Sequence, residues 1–233
     1  MSFNYYGQLV IGPSGSGKST YCALIQKMAQ LLRRNIIIIN LDPAIDNMPY
    51  EPLVSITELI TLEDAMKATK LGPNGGLVYC MEQLIENLDW LEDRIGDLLD
   101  EDYVLFDCPG QIELYSHLST MNRLTASLHK LGFSLCSVCL LDVTFLNDDF
   151  KWIGGTLASL SFMMSLSLPH ISVLSKCDLV KDKTWLKKKL KTQNSVMVDE
   201  MLEHEESDGK LLGETEFEKK YRHLKLSLEQ IVT

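Results

Sequence analysis

The chain has 233 residues, 45% of them hydrophobic, which supports one domain with a sizeable core and excludes a disordered polymer. Its formal net charge of −10 argues against nucleic acid as a direct partner, because neutralising phosphates draws on Lys and Arg. The six cysteines are scattered, and the single C-x-x-C at Cys136 and Cys139 lies in an apolar run without a second ligand pair; they read as reduced core thiols of a cytosolic or nuclear protein.

Along the chain, short apolar runs alternate with helical periods. Gln8 to Ile11 reads as a strand, followed by a glycine-rich loop and a helix from about Lys18 to Leu32. NIIIINL, 35–41, has the length and composition of a strand buried on both faces. Ser55-Ile-Thr-Glu58 and Thr61-Leu-Glu-Asp64 carry the capping chemistry of helix starts, and Gly72 is expected to close the second helix at C′. The run LGPNGG, 71–76, then reads as a turn, with Pro suited to its i+1 position and Asn and Gly to positive φ. Leu77, Met81, Leu84, Leu88, Leu91 and Ile95 form one helical stripe.

A strand is expected at Tyr103–Cys108, a helix at about Glu113–Leu131, a strand at Leu135–Val143, a helix at Gly154–Leu168 and a strand at Ile171–Leu174. The apolar run 153–168 is too short and too polar to span a bilayer, and MSFNYYGQLVIG lacks a signal-peptide pattern, so no membrane partner is expected. Beyond Asp182 the pattern is charged and helical, and Lys181, Lys183, Lys187, Lys188, Lys189 and Lys191 read as a solvated face. This alternation predicts an α/β fold: a three-layer P-loop NTPase with a mostly parallel central sheet and helices on both faces. It is read as one domain, 1–233, with a helical C-terminal region over about 182–233.

Three segments carry chemistry. Gly12-Pro13-Ser14-Gly15-Ser16-Gly17-Lys18-Ser19 fits G-x-x-x-x-G-K-[ST] between a strand and a helix, where backbone N–H groups cradle phosphates. Lys18 is expected on the β- and γ-phosphates and Ser19 on Mg²⁺, with Thr20 completing the nucleotide contacts. Asp107 ends an apolar strand as a second Mg²⁺ group, and Asp107-Cys-Pro-Gly110-Gln111 has switch spacing, Gly110 sensing the γ-phosphate and Gln111 orienting water. Ser175-Lys176-Cys177-Asp178 follows the last strand; Asp178 matches the guanine N1–H and 2-amino donors, and the Lys176 stem lies over the ring. Asp42, in NLDPA after the second strand, is a further candidate for Mg²⁺ or water placement. The five histidines show neither metal spacing nor a triad.

NLDPA, LGPNGG, DCPGQIEL and SKCDL together resemble the GPN-loop GTPases, in order and spacing, over roughly residues 8–180. The resemblance implies a Mg²⁺-dependent dimeric GTPase cycling between GTP and GDP. In it Asn74 of LGPNGG reaches the partner's nucleotide, and Asp42, Asp107 and Gln111 place metal and water. It also implies a sibling GPN-loop GTPase or a second copy as partner, a role in RNA polymerase II assembly and nuclear import, and a cytoplasmic location with shuttling to the nucleus. Ser175 stands where many GTPases have Asn, and the family's last base-binding loop falls at HLKLSLEQ, 223–230, with Ser227. Two other readings stay open: an assembly scaffold with negligible hydrolysis, and an ATP-dependent small-molecule kinase. For the kinase, the five arginines (Arg33, Arg34, Arg94, Arg123 and Arg222) form no clustered lid.

Overall fold

The computed structural model describes residues 5–45, 47–96, 102–116, 119–182, 184 and 186. Six strands form a single sheet in the order β3-β2-β4-β1-β5-β6: β1 (Tyr5–Ile11), β2 (Ile36–Asn40), β3 (Val54–Ser55), β4 (Tyr103–Asp107), β5 (Phe133–Asp142) and β6 (His170–Ser175). Every pairing among them is parallel, with Val10 and Asn40 both in register with Asp107, and Asp142 with Ser175. The sheet is therefore fully parallel among the described residues.

Helices cover both faces. On one, α1 (Lys18–Leu31) packs Cys22 with Val10, Ile38, Leu105 and Val138. The other face carries the larger core, to which α2 (Leu62–Thr69), α3 (Pro73–Glu86), α4 (Leu88–Ile95), α6 (Thr120–Lys130) and α7 (Asp149–Leu166) contribute; Ala65, Met81, Leu91, Leu124 and Phe162 meet Leu9, Ile39, Val104 and Phe106 there. The short α5 (Glu113–Ser116) adds the buried Leu114 and Tyr115. Alternate residues of each central strand thus enter opposite cores, which is why these strands read as continuous apolar runs. Cys136 and Cys139 fall on opposite faces by the same period, and the described cysteines are all free. No helix of the described residues is long and apolar enough to cross a membrane.

The structure redraws four expectations. Gly72 is not a C′ residue: α2 stops at Lys70, which takes the left-handed conformation at φ 58°, and Gly72 at φ −71° is the N-cap of α3. LGPNGG is accordingly a helix start rather than a turn, with Pro73 at N1, where its missing N–H costs nothing and its fixed φ is helical. The stripe 77–95 is broken at Asn87, whose side chain donates to Gln83 O at 2.8 Å and competes with the helical ladder. The helix expected over 113–131 is two, α5 and α6. The lysines at 183 and 187–191, the helical reading of the tail past Leu186, and Ser227 lie outside the described residues.

One polar network joins β5, α7 and the edge strand β6. His170 Nδ1 meets Ser137 Oγ at 2.8 Å, Nε2 meets Ser159 Oγ at 2.9 Å, and Ser159 Oγ meets Ser172 Oγ at 2.8 Å. Because Ser137 also donates to Pro169 O, the arrangement closes with a neutral imidazole: Nδ1–H donates to Ser137, and Nε2 accepts from Ser159. Burial holds His170 below its ordinary pKa. A folded-state pKa below the unfolded value contributes stability that is present above about pH 6.5 and lost as pH falls through the folded value. The margin in melting temperature between the unaltered protein and His170→Gln is therefore expected to shrink on acidification from pH 7 to 5.5, as scanning calorimetry of the pair would show.

Candidate functional site

The carboxyl ends of β1, β2, β4, β5 and β6 lie side by side, and each delivers one piece of the site. From β1 the chain turns at Gly12, φ 138°, and passes through Gly15 and Gly17 at φ 75° and 92°. Ser16 N donates to Pro13 O at 3.1 Å, so the loop closes on itself. Gly17 caps α1 without a side-chain acceptor, which leaves the first-turn N–H groups and the positive end of the helix facing the loop. Lys18 is only 6% exposed, and its Nζ donates to Pro13 O at 3.2 Å. Ser16 Oγ is buried inside the loop without a hydrogen-bond partner. Ser14, Gly15 and Thr20 are exposed on its rim.

Asp107, at the end of β4, is fully buried. Its Oδ2 accepts from Tyr50 Oη at 2.6 Å, while Oδ1 has no hydrogen-bond partner. Burial pushes its carboxyl above the usual range; the Tyr50 and Ser19 hydroxyls and the Lys18 ammonium oppose that without reversing it. Asp42 is raised in the same way, against the Ala44 N–H that its Oδ1 accepts at 2.9 Å and against Lys18. The buried Asn40 organises this edge, accepting from Asp42 N at 3.1 Å and donating to Ser55 Oγ at 3.0 Å.

The D-x-x-G segment lies on the phosphate loop. A Cβ on Gly110 would stand 2.8 Å from Ser14 Cα and 3.0 Å from Lys18 Nζ, so only glycine allows this approach. The buried Tyr115 donates to Pro109 O at 2.5 Å and pins the segment from below. Gln111 follows, half-buried, just before α5.

After β6, Ser175 Oγ donates to Ser16 O at 2.7 Å and to Leu141 O at 3.2 Å. The serine that departs from the commoner asparagine thus ties the last strand to the phosphate loop. Lys176, at φ 56°, pairs with Asp142 at 2.7 Å, which extends its stem between the ends of β6 and β5. Burial pushes Asp142 up, but the Lys176 ammonium and the Thr144 donors outweigh it and hold the carboxyl below its ordinary value. Asp178 is exposed on the 3-10 turn that follows.

Lys18, Ser19, Asp42, Asp107, Gly110 and Ser175 are therefore brought together around one loop. Asn74 is not: it is exposed on the first turn of α3, and no hydrogen bond among the described residues joins it to this cluster. Sequence reasoning missed Tyr50, Asn40 and Tyr115. Asn40 did leave a signal, as a polar residue ending a buried apolar strand; the other two act through contacts with no local pattern.

A family model described as a conserved hypothetical ATP binding protein matches residues 10–233. A GPN-loop GTPase 3 from Candida glabrata is 44% identical over 227 residues, covering 97% of this chain and 80% of its own length. The chain belongs to the GPN-loop GTPase family. Similar relatives of the same name come from Dictyostelium discoideum, 51% identical over 174 residues, and Danio rerio, 46% identical over 180 residues. These matches take in 75% and 76% of this chain but 61% and 63% of the relatives' own lengths. The crystal structure of a GTPase in apo form from Pyrococcus abyssi superposes with a TM-score of 0.71 at 22% identity, over 98% of this chain and 84% of that one. That likeness shows the fold, a P-loop NTPase with a parallel central sheet.

The donor set suits Mg²⁺. Ser19, Asp107 and Asp42 offer hard oxygens, and the unpartnered Asp107 Oδ1 is a buried acceptor beside Ser19 and Lys18. Among the described residues no group of three His, Cys, Asp or Glu side chains is placed to hold an ion alone.

Proposed function

We propose that the protein is a Mg²⁺-dependent GTPase: it binds GTP, directs water onto the γ-phosphate and releases phosphate and GDP. The observation that carries this reading is the physical joining of phosphate loop, D-x-x-G segment and base-reading segment through Gly110 on Ser14 and Ser175 on Ser16. Bound Mg²⁺ supplies charge neutralisation on phosphate oxygens; Ser19, Asp107 and Asp42 would hold it. Lys18 and the open N-terminus of α1 take the phosphates, Gln111 orients the water, and Asp178 with the Lys176 stem selects guanine over adenine. Phosphoryl transfer needs positioning and charge stabilisation more than covalent help, and those residues supply both.

The exposed position of Asn74 supports action in trans: the first turn of α3 projects into a neighbouring subunit's site, in a homodimer or with a sibling GPN-loop GTPase. Hydrolysis then depends on dimer geometry, which suits a switch in the assembly of a larger complex. RNA polymerase II or its assembly factors, with transit from cytoplasm to nucleus, are the partners and setting this reading favours.

Single-turnover phosphate release tests it. Gln111→Ala and Asn74→Ala are each expected to slow release by about 10²-fold, the scale of losing one positioned polar group, with GDP affinity little changed. Rates equal to the unaltered protein would remove both roles. ATP as the nucleotide has one observation in its favour, the description of the family model. Competition of GTP against ATP in the presence of Mg²⁺ decides between them, and ATP winning would also remove the role of Asp178.

A further inference from the structure

Tyr50 lies outside the four segments that carry the family resemblance, yet its hydroxyl donates to Asp107 Oδ2 at 2.6 Å and across 57 residues of sequence. Its ring is 7% exposed and packs among Val10, Cys22, Ile38 and Leu105, so the hydroxyl is delivered by the core beneath α1. The main chain of Asp107 is fixed by the sheet, with Leu41 N donating to its carbonyl at 2.8 Å and Cys108 N donating to Val10 O at 3.2 Å. What remains free is the rotation of the carboxylate: the Tyr50 hydroxyl holds Oδ2, the Ser19 hydroxyl acts on the same group, and Oδ1 has no hydrogen-bond partner.

The same bond anchors residues 47–53, which lead into β3. Asn40 and the Asp42–Ala44 turn hold the first residues after β2, and Leu53 N on Ile38 O, at 2.8 Å, holds the last before β3. Three residues before that end, Tyr50 ties the chain to Asp107.

We propose that Tyr50 is a positioning residue that couples cation binding at Asp107 to order in residues 47–53. A carboxylate held through Oδ2 presents Oδ1 in one orientation, so the latch favours a cation or its water there. By reciprocity, a cation acting on Oδ1 favours the closed latch. The inference rests on the reading of Asp107 as a Mg²⁺ group, and two variants separate the failures of the two ideas.

The measurement is the factor by which Mg²⁺ tightens a fluorescent GDP, taken as the ratio of dissociation constants in EDTA and in Mg²⁺, together with amide hydrogen exchange over residues 47–53. In Tyr50→Phe the factor is expected to fall at least fivefold while the EDTA constant changes less than twofold, and exchange over 47–53 in EDTA to quicken about tenfold. A merely structural loss would weaken both constants alike and leave the ratio unchanged; that result overturns the proposal. Asp107→Asn is expected to abolish the factor, with Tyr50→Phe adding nothing to it. If Asp107→Asn leaves the factor intact, the Mg²⁺ reading of Asp107 fails; if it abolishes the factor and Tyr50→Phe does not lower it, the latch alone fails. Should Tyr50→Phe not fold, exchange in the unaltered protein decides: Mg²⁺ added to the GDP-bound form is expected to slow exchange over 47–53, and unchanged exchange refutes the latch.

Discussion

Lys18→Ala is expected to weaken GTP binding by about 10²-fold or more while leaving the chain folded. The Lys18 side chain is buried, with its ammonium on Pro13 O at 3.2 Å. Lysine hydrogen bonds to ionised groups are worth about 1.5–3 kcal/mol each, and a β- and γ-phosphate pair offers two of them. Losing about 3 kcal/mol corresponds to about 10²-fold in affinity. The effect on GDP should be smaller, since one contact disappears with the γ-phosphate. A second consequence follows from charge: the ammonium lowers the proton affinity of both Asp42 and Asp107, so alanine leaves two buried carboxylates less compensated. Their pKa values, already raised by burial, should rise further. Groups whose folded-state pKa is raised contribute stability at low pH that is lost as pH increases through that value, so the variant's deficit in melting temperature relative to the unaltered protein should be larger at pH 7 than at pH 5. Fluorescent-nucleotide titration and melting at the two pH values check both expectations; unchanged GTP affinity would remove Lys18 from the phosphate site.

The phosphate loop was readable in the sequence because its chemistry is backbone chemistry. Glycine at Gly12, Gly15 and Gly17 is demanded by positive φ, and those demands survive as spacing. Strands β2, β4 and β5 were readable for a related reason: burial on both faces writes a continuous apolar run. The two-residue β3 was not, since it is too short for any period and exists only through its pairing with β2.

LGPNGG was misread because two local rules competed. Pro-Asn-Gly is turn chemistry, but Pro is equally suited to the first position of a helix. The tertiary context decided. A Cβ on Gly76 would collide with Leu62 Cδ1 and Met66 Cγ at 2.9 Å, so this glycine lets α3 close on α2 and needs no left-handed backbone. The same limit hid Tyr50 and Tyr115, whose partners lie 57 and 6 residues away and are chosen by packing. The glycine-rich loop and the D-x-x-G segment left motifs; the side chains that hold them in place left almost none.

The largest stability effect is expected at Gly12, where Gly12→Ala and Gly15→Ala make a controlled pair. Both glycines have positive φ, 138° and 75°, so both substitutions strain the backbone. They differ in space. A Cβ on Gly15 meets nothing within 4 Å, whereas one on Gly12 would stand 2.4 Å from Leu140 O, a backbone atom of central strand β5 that no rotamer change can remove. At φ 75° an alanine sits near the left-handed well, costing about 1–2 kcal/mol. At Gly12 a strain of about 1–3 kcal/mol is joined by an overpacking cost of about 1–3 kcal/mol as β5 or the loop shifts. For a domain of this size each kcal/mol moves the melting point by about 2–4 °C. Gly15→Ala should therefore melt a few degrees low, and Gly12→Ala roughly twice as far below the unaltered protein. Because Leu140 lies two residues before Asp142, whose carboxylate holds Lys176, the displacement at Gly12 also disturbs the base-reading end of β5. Guanine selectivity should then fall with stability in Gly12→Ala and hold in Gly15→Ala. Equal melting points for the two variants would mean that β5 yields freely at Leu140, and that the loop is held by its own φ angles rather than by its seat on the sheet.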